Sequence, residues 1–166
     1  MMRTLVCTAG FGLLVLCMAS CGSKPPKPPP PPPPTKAALV VAADVNPDVG
    51  GRPSPIVVRL YQLKEEGAFN SASYFALSDK EQETLGPSLV SREEYELKPG
   101  ETRELVLRIA PEARYLGAVA GYRDLNNSKW KALSPAPEAG GLLDFARKHK
   151  LIVSVGKSQV KIAPAN

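Results

Sequence analysis

Oxygen-bearing side chains alternate along residues 44–50 (Asp-Val-Asn-Pro-Asp-Val-Gly), which is the ligand spacing at the start of a calcium-binding loop. Such a loop needs a glycine at its sixth position for the turn and a glutamate at its twelfth to bind the ion with both oxygens. Here the glycine comes one position late, and Pro55 occupies the place of the glutamate. Asn, Asp, Pro and Gly also favour tight turns without any ligand. We therefore expect a shaped loop and no metal site.

Two further motifs could carry chemistry. Gly156-Lys157-Ser158 matches the end of a phosphate-binding loop, but Leu151 stands where that motif needs a glycine, and a strand is expected to follow. His149 is the single histidine, and its basic neighbours disfavour both protonation and cation binding. The sequence therefore predicts no catalytic residue, no metal ligand and no cofactor, and the protein is not expected to be an enzyme.

The N-terminal residues have the pattern of a bacterial signal peptide. Arg3 precedes an apolar run over residues 5–17, which is too short to span a bilayer as a stop-transfer helix. Met18-Ala19-Ser20-Cys21 then resembles the lipobox of bacterial lipoproteins, in which the bond before the cysteine is cut and the new terminal cysteine is acylated. The resemblance implies a signal peptide over residues 1–20 and a lipidated Cys21. Gly22, in place of an aspartate, implies the outer membrane. The alternative is an ordinary secreted protein with a chance cysteine at its cleavage site.

Prolines dominate residues 25–34. Successive prolines lack amide hydrogens and have a fixed φ, so the segment is predicted to form an extended polyproline II rod of about 30 Å. We interpret residues 21–36 as the lipidated cysteine with a stiff spacer. A ligand for a proline-binding domain is the alternative, but such domains are chiefly cytosolic.

Composition limits the function of the remainder, residues 37–166. The three cysteines are Cys7, Cys17 and Cys21, so this segment can form no disulfide and must be stabilised by packing. The net charge of the chain is +5, with Lys and Arg interleaved with Glu and with few aromatic residues. This pattern argues against nucleic-acid binding. The length suits a single domain.

Alternating apolar residues predict an all-β domain. Leu39, Val41, Ala43 and Val45 share one parity, as do Ile56, Val58 and Leu60, with Arg59 and Tyr61 on the other face of that second strand. Further strands are expected to end near Leu97, to run over 102–109 and, buried on both sides, over 115–122, and to close in a hairpin with a two-residue turn over 151–162. Lys98-Pro99-Gly100-Glu101 has the signature of a type II turn. Seven or eight such strands indicate a two-sheet β-sandwich.

Two segments interrupt the β pattern. Residues 70–77 and 79–85 are predicted to form short helices, each with a capping residue at its start. We expect them to form a helical insertion packed on the sandwich.

The connection between the first two strands is the candidate binding site. It is longer than a hairpin needs, its prolines restrict its unfolded freedom, and Gly50-Gly51 permits a reversal with positive φ. Arg52 would supply a planar donor able to bind a carboxylate in two places. Composition alone allows either a plain structural loop or a protein-recognition loop. The candidate residues are Asn46, Pro47, Asp48, Val49, Gly50, Gly51, Arg52, Pro53, Ser54 and Pro55.

The whole domain resembles TssJ, the outer-membrane lipoprotein family of type VI secretion systems. The resemblance rests on the lipobox and spacer, on Asn46-Pro47-Asp48 and Gly51-Arg52-Pro53-Ser54-Pro55, on the strand at 56–63, and on Phe69 with Tyr74-Phe75-Ala76-Leu77 and Asp79. It implies a transthyretin-like β-sandwich with a small helical addition. It also implies an anchor, held in the outer membrane by acyl chains, that binds the periplasmic C-terminal part of TssM through the loop at 46–55. TssL would be an indirect partner in the same envelope complex.

Two alternatives stay open at this point. The first is a periplasmic ligand- or carbohydrate-binding lipoprotein, which should expose aromatic residues around a concave site. The only tryptophan, Trp130, lies between Lys129 and Lys131, which suggests the edge of a strand or loop. The second, an enzyme of transthyretin-like fold, is disfavoured because the sequence has no histidine cluster.

Overall fold

The computed structural model describes residues 34–137 and 151–165 of the chain. In this part, eight strands form two four-stranded sheets. The first sheet has the order β4-β1-β7-β8 and the second has the order β3-β2-β5-β6, which confirms the predicted two-sheet sandwich. The strands are β1 (Pro34–Val41), β2 (Ile56–Leu63), β3 (Leu89–Leu97), β4 (Thr102–Arg108), β5 (Tyr115–Ala120), β6 (Lys131–Pro135), β7 (Leu151–Val155) and β8 (Val160–Pro164).

All described strand pairs are antiparallel except β1 with β7. Alternate residues of each strand point between the sheets, and together they form the main apolar core. Leu39 of β1 and Val58 of β2 are fully buried there, which confirms the predicted parity of both strands. The strand prediction was wrong beyond Val41, where β1 ends. Val45 is nevertheless buried, because its N–H bonds to the carbonyl of Ala42 and turns the chain inward.

Helices cover the outer face of the second sheet. Tyr61 and Leu63, on the outer face of β2, are fully buried with Phe69, Leu77, Leu85 and Val119 in a second apolar cluster. Gly117 of β5 is required for this packing, since a Cβ there would lie 2.7 Å from the Phe69 ring. The predicted burial of β5 on both sides is therefore confirmed.

The helical insertion is divided differently from the prediction. Its helices are α1 (Gly67–Ser71), α2 (Tyr74–Asp79) and α3 (Glu81–Leu85), followed by a short 3-10 turn at Gly86–Ser88. The helix expected over 70–77 is broken because Ser73 is extended and its Oγ accepts a 3.2 Å hydrogen bond from the N–H of Ala76. Ser73 is thus the N-cap of α2. The helix expected from residue 79 begins at Glu81, after Lys80, which makes no side-chain capping bond.

The two predicted tight turns are present. Gly100 has a φ of 76°, and the Glu101 N–H donates to the Lys98 carbonyl at 3.1 Å, as in a type II turn. In the closing hairpin the Gly156 N–H donates to the Gln159 carbonyl at 2.8 Å. Lys157 and Ser158 therefore form the tip.

The strand directions put four connections at one end of the sandwich. We call this the loop end; it carries the β1–β2, β3–β4, β5–β6 and β7–β8 connections. Pro34 begins β1 at the opposite end, about 25 Å away along the strand. The strand thus includes residues 34–36, which were expected in the spacer. A proline is compatible with this position because it is the first residue of the strand.

Several sequence expectations lie outside the described residues: the signal peptide over 1–20, Cys21, the polyproline segment before Pro34, and His149. Within residues 34–137 and 151–165, no helix combines the length and the apolar character needed to cross a membrane.

Candidate partner-binding loop

Asn46 fixes the base of the candidate loop. Its side chain is 4% exposed, and its φ of 49° lies in the left-handed region that asparagine tolerates better than most residues. The Nδ2 group donates to the Pro55 carbonyl at 2.9 Å, while Oδ1 accepts from the Arg123 N–H at 2.8 Å. The Asn46 N–H donates to the Lys157 carbonyl at 3.1 Å. One buried residue therefore closes the loop and ties it to the β5–β6 and β7–β8 connections.

Asp48 organises the tip of the loop. Its Oδ1 accepts from the N–H groups of Gly50 and Arg52 at 2.9 and 3.0 Å, and its Oδ2 accepts from Arg52 Nε at 3.1 Å. The Arg52 backbone hydrogen bond is the main reason that the pKa of Asp48 lies below its ordinary value. Because nearby N–H groups surround this carboxylate, it acts as an internal turn acceptor and not as a cation ligand.

The glycine prediction holds at one of its two positions. Gly51 has a φ of 82° and makes the reversal, whereas Gly50 does not have a positive φ. A Cβ at Gly50 would lie 3.3 Å from Asp48 Oδ1, so this glycine leaves space for the carboxylate.

The ten predicted site residues separate into buried supports and an exposed tip. Asn46 and Ser54 are buried, and the Ser54 N–H donates to the Val45 carbonyl at 3.1 Å. Val49 is fully exposed, at 112% of its reference area, and the Arg52 side chain is 84% exposed. The arginine, expected to bind an external carboxylate in two places, already uses Nε on Asp48. The tip thus presents an aliphatic side chain and a partly engaged guanidinium on a hydrogen-bonded frame.

A groove lies beside the loop, and local sequence reasoning missed its other walls. It has a volume of ≈ 620 Å³ and is lined by residues 46–49, 122–124, 127–128 and 157–158. Tyr122 is buried at its floor and donates to the Gly156 carbonyl at 3.0 Å; burial raises the pKa of this phenol. The turn-forming residues that follow strand β5, such as Asp124, Asn127 and Ser128, were the sequence feature from which a loop at this wall of the groove could have been predicted.

Trp130 does not form an open aromatic site. Its ring is half-buried and meets Tyr74 edge-on, with centroids 5.5 Å apart. The neighbouring Lys131 Nζ lies 5.0 Å from the Trp130 ring and donates to the carbonyls of Phe69, Asn70 and Ala72. The tryptophan therefore helps to hold the helical insertion against β6. This disfavours the carbohydrate-binding alternative.

In residues 34–137 and 151–165 no group of three or more His, Cys, Asp or Glu residues is placed to hold a metal ion.

Comparisons with known proteins agree on one family. A family model described as "Type VI secretion lipoprotein, VasD, EvfM, TssJ" matches residues 33–162. Among curated proteins there is no significant match. The crystal structure of the T6SS lipoprotein TssJ1 from Pseudomonas aeruginosa is 36% identical, with a TM-score of 0.70 and coverage of 81% of this chain and 98% of that chain.

Two other solved structures share the fold. Lip from Serratia marcescens, described as a membrane bound component of the Type VI Secretion System, is 26% identical, with a TM-score of 0.67 and coverage of 81% and 97% of the two chains. A chain from a structure described as "T6SS protein TssM C-terminal domain (869-1107) from EAEC" is 20% identical, with a TM-score of 0.64 and coverage of 80% and 98%, which supports the fold alone. The family match and the identity to TssJ1 together show that this chain belongs to the TssJ family of type VI secretion lipoproteins, which is a structural envelope family and not an enzyme family.

Proposed function

We propose that the protein is an outer-membrane anchor of the type VI secretion envelope complex and that its 46–55 loop docks the periplasmic C-terminal region of TssM. The observation that carries this proposal is Val49, an aliphatic side chain fully exposed at the tip of a loop held by internal hydrogen bonds. TssL would join the same complex indirectly, through TssM.

The physical argument is that this loop is already ordered. A flexible loop would lose conformational entropy on binding, and that loss would subtract from affinity. Asn46 and Asp48 fix the loop in the free protein, so little ordering remains to be done. Burial of Val49 by a partner would then contribute about 1.5–3 kcal/mol from its apolar surface.

The proposed anchor is consistent with the position of the loop. Acylation of Cys21 would attach the chain to lipid, and the proline-rich spacer would lead to Pro34. Pro34 and the 46–55 loop lie at opposite ends of β1. A domain tethered at Pro34 can therefore direct this loop away from the tether. Several acyl chains make attachment stable where one gives only reversible binding, at about 0.8 kcal/mol per buried CH₂.

The choice of TssM rests on the family resemblance. A chain of the same fold is also part of a structure described as containing the TssM C-terminal domain. A binding measurement with TssM therefore tests this choice directly.

The test is a binding measurement with single-residue variants of the loop. The acylated protein, purified in detergent, is titrated against the purified periplasmic C-terminal region of TssM. Val49→Asp should weaken binding about tenfold or more, since a carboxylate would have to be desolvated in an apolar contact. Val106→Asp is a matched control, because Val106 is a 66% exposed valine on the outer face of the first sheet. Equal affinity of Val49→Asp and the unsubstituted protein, or no binding by either, would refute the proposal.

A further inference from the structure

The groove at the loop end has acidic and basic residues in its walls, and only the acidic side chains have hydrogen-bond partners within the described part of the fold. Asp48 accepts from two backbone N–H groups and from Arg52. Asp124 accepts from the Asn127 N–H at 3.2 Å and from Asn127 Nδ2 at 3.0 and 2.9 Å. Both carboxylates are therefore used to shape their own loops.

The cations of the groove are not used in this way. Arg123 and Lys157 are both exposed and line the groove. Neither side chain has an ion-pair partner within the described part of the chain. Two positive charges therefore face solvent beside carboxylates that already have their hydrogen bonds.

The backbones of both cationic residues are hydrogen-bonded to Asn46. The Arg123 N–H donates to Asn46 Oδ1 at 2.8 Å, and the Lys157 carbonyl accepts from the Asn46 N–H at 3.1 Å. Asn46 thereby joins three connections that are distant in sequence into one surface. The Cα positions of Arg123 and Lys157 are fixed relative to the 46–55 loop before any partner arrives.

We propose that this groove receives an acidic segment of the protein that docks on the 46–55 loop, with Arg123 and Lys157 as its cationic contacts. This inference rests on the proposed function and names the chemistry of the partner. The Arg123 guanidinium can bind a carboxylate with two parallel hydrogen bonds, and Lys157 adds a mobile point charge. Exposed charges of this kind accelerate encounter and select against basic partners more than they add affinity.

The test compares two double charge reversals in the detergent-purified, acylated protein. Arg123→Glu with Lys157→Glu alters the groove. Lys64→Glu with Arg114→Glu makes the same change of charge at exposed residues of the opposite end, next to the last residue of β2 and the first of β5. Circular dichroism checks that both proteins fold. Affinity and association rate for the TssM periplasmic C-terminal region are then measured from about 50 to 300 mM salt, a range over which screening of exposed charges grows strongly.

The groove variant should bind at least about tenfold more weakly at low salt and lose most of the salt dependence of its association rate, while the control variant keeps both. Unchanged affinity and salt dependence in the groove variant, with binding still weakened by Val49→Asp, would overturn this inference and leave the proposed function standing. If Val49→Asp also has no effect, the proposed function itself fails.

Anionic lipid is a competing target for two exposed cations. Vesicles containing phosphatidylglycerol are therefore presented to the same proteins. Loss of vesicle binding in the groove variant, with unchanged binding to TssM, would assign Arg123 and Lys157 to a lipid surface and overturn the proposal.

Discussion

The Asn46 side chain donates a 2.9 Å hydrogen bond to the carbonyl of Pro55, nine residues later, and so closes the loop at its base. The same side chain accepts from the N–H of Arg123, 77 residues away. A local turn and a long-range tertiary contact thus depend on one buried amide. The loop is therefore coupled to the sandwich and not merely attached by its two strands.

Replacing Asn46 should destabilise the domain, and alanine should do so more than glycine. Asn46→Ala leaves the Arg123 N–H and the Pro55 carbonyl without this partner, and it puts alanine at a positive φ that asparagine tolerates better. We expect a loss of roughly 2–4 kcal/mol and a clearly lower Tm. Asn46→Gly loses the same hydrogen bonds, but glycine adopts a positive φ without strain. This variant should therefore be more stable than Asn46→Ala by about 1 kcal/mol. Thermal unfolding followed by circular dichroism measures both. A Tm for Asn46→Ala equal to that of the unsubstituted protein would contradict the anchoring role.

Gly117 should tolerate no side chain while Phe69 is present. Gly117→Ala places a Cβ within 3 Å of the Phe69 ring and should cost about 1–3 kcal/mol. Gly67→Ala is the control, since a Cβ there meets no atom within 4 Å. Adding Phe69→Leu to Gly117→Ala should recover part of the loss by making room. If the double variant is no more stable than expected from adding the two single effects, the steric explanation is wrong.

Glu94 should contribute to stability at neutral pH but not in acid. Its Oε2 accepts from Arg59 Nε at 2.6 Å and from Arg92 Nη1 at 2.9 Å. The Arg59 hydrogen bond lowers the pKa of Glu94 below its ordinary value of 4.5. Because the pKa is lower in the folded state than in the unfolded state, the contribution is complete above the unfolded value and disappears as the pH falls through the folded value.

Glu94→Gln tests this pH dependence. The variant should have a slightly lower Tm than the unsubstituted protein at pH 7, since the Glu94 side chain is 45% exposed and its ion pairs are screened. The difference should be smaller at an acidic pH below 4.5, and it should vanish once Glu94 is protonated in both the folded and the unfolded state. Glu112→Gln, at an exposed position in the β4–β5 connection, serves as control. A Tm difference for Glu94→Gln that stays constant between the two pH values would rule out the ionic contribution.

Cys21 should be required for attachment to the outer membrane. Cys21→Ser removes the thiol that would be acylated, so incorporation of labelled palmitate and recovery in the outer-membrane fraction should both be lost. Cys17→Ser keeps Cys21 and should retain both signals. Label or outer-membrane recovery that persists in Cys21→Ser would show that the anchor lies elsewhere.

The sandwich was predictable where local sequence and tertiary structure require the same residues. Alternating apolar residues place Leu39 and Val58 in the core, and Pro99-Gly100 specifies its turn because a positive φ favours glycine. Val45 shows where this reasoning fails. Its parity continues that of β1, but a turn at Ala42 ends the strand, and burial alone does not distinguish a strand residue from a loop residue.

The proposed binding surface was predictable only in part. The 46–55 loop is visible from its own residues because Asn, Pro, Asp and Gly each restrict the backbone locally. The contribution of Arg123 and Lys157 could not be predicted in this way, because only the pairing of β1 with β7 and of β2 with β5 brings their connections to Asn46. Loops that are distant in sequence are brought together by the strand topology, which cannot be predicted from any single segment.

The position of β1 has a mechanical consequence. Pulling force between a tether at Pro34 and a partner on the 46–55 loop would run along this strand, which is hydrogen-bonded to β4 on one side and to β7 on the other. The load would be parallel to the strand and would shear both ladders together, so their bonds would resist as a group instead of opening one after another. Under the proposed function, the membrane anchor and the partner would therefore pull on the strand in the direction in which its hydrogen bonds resist best.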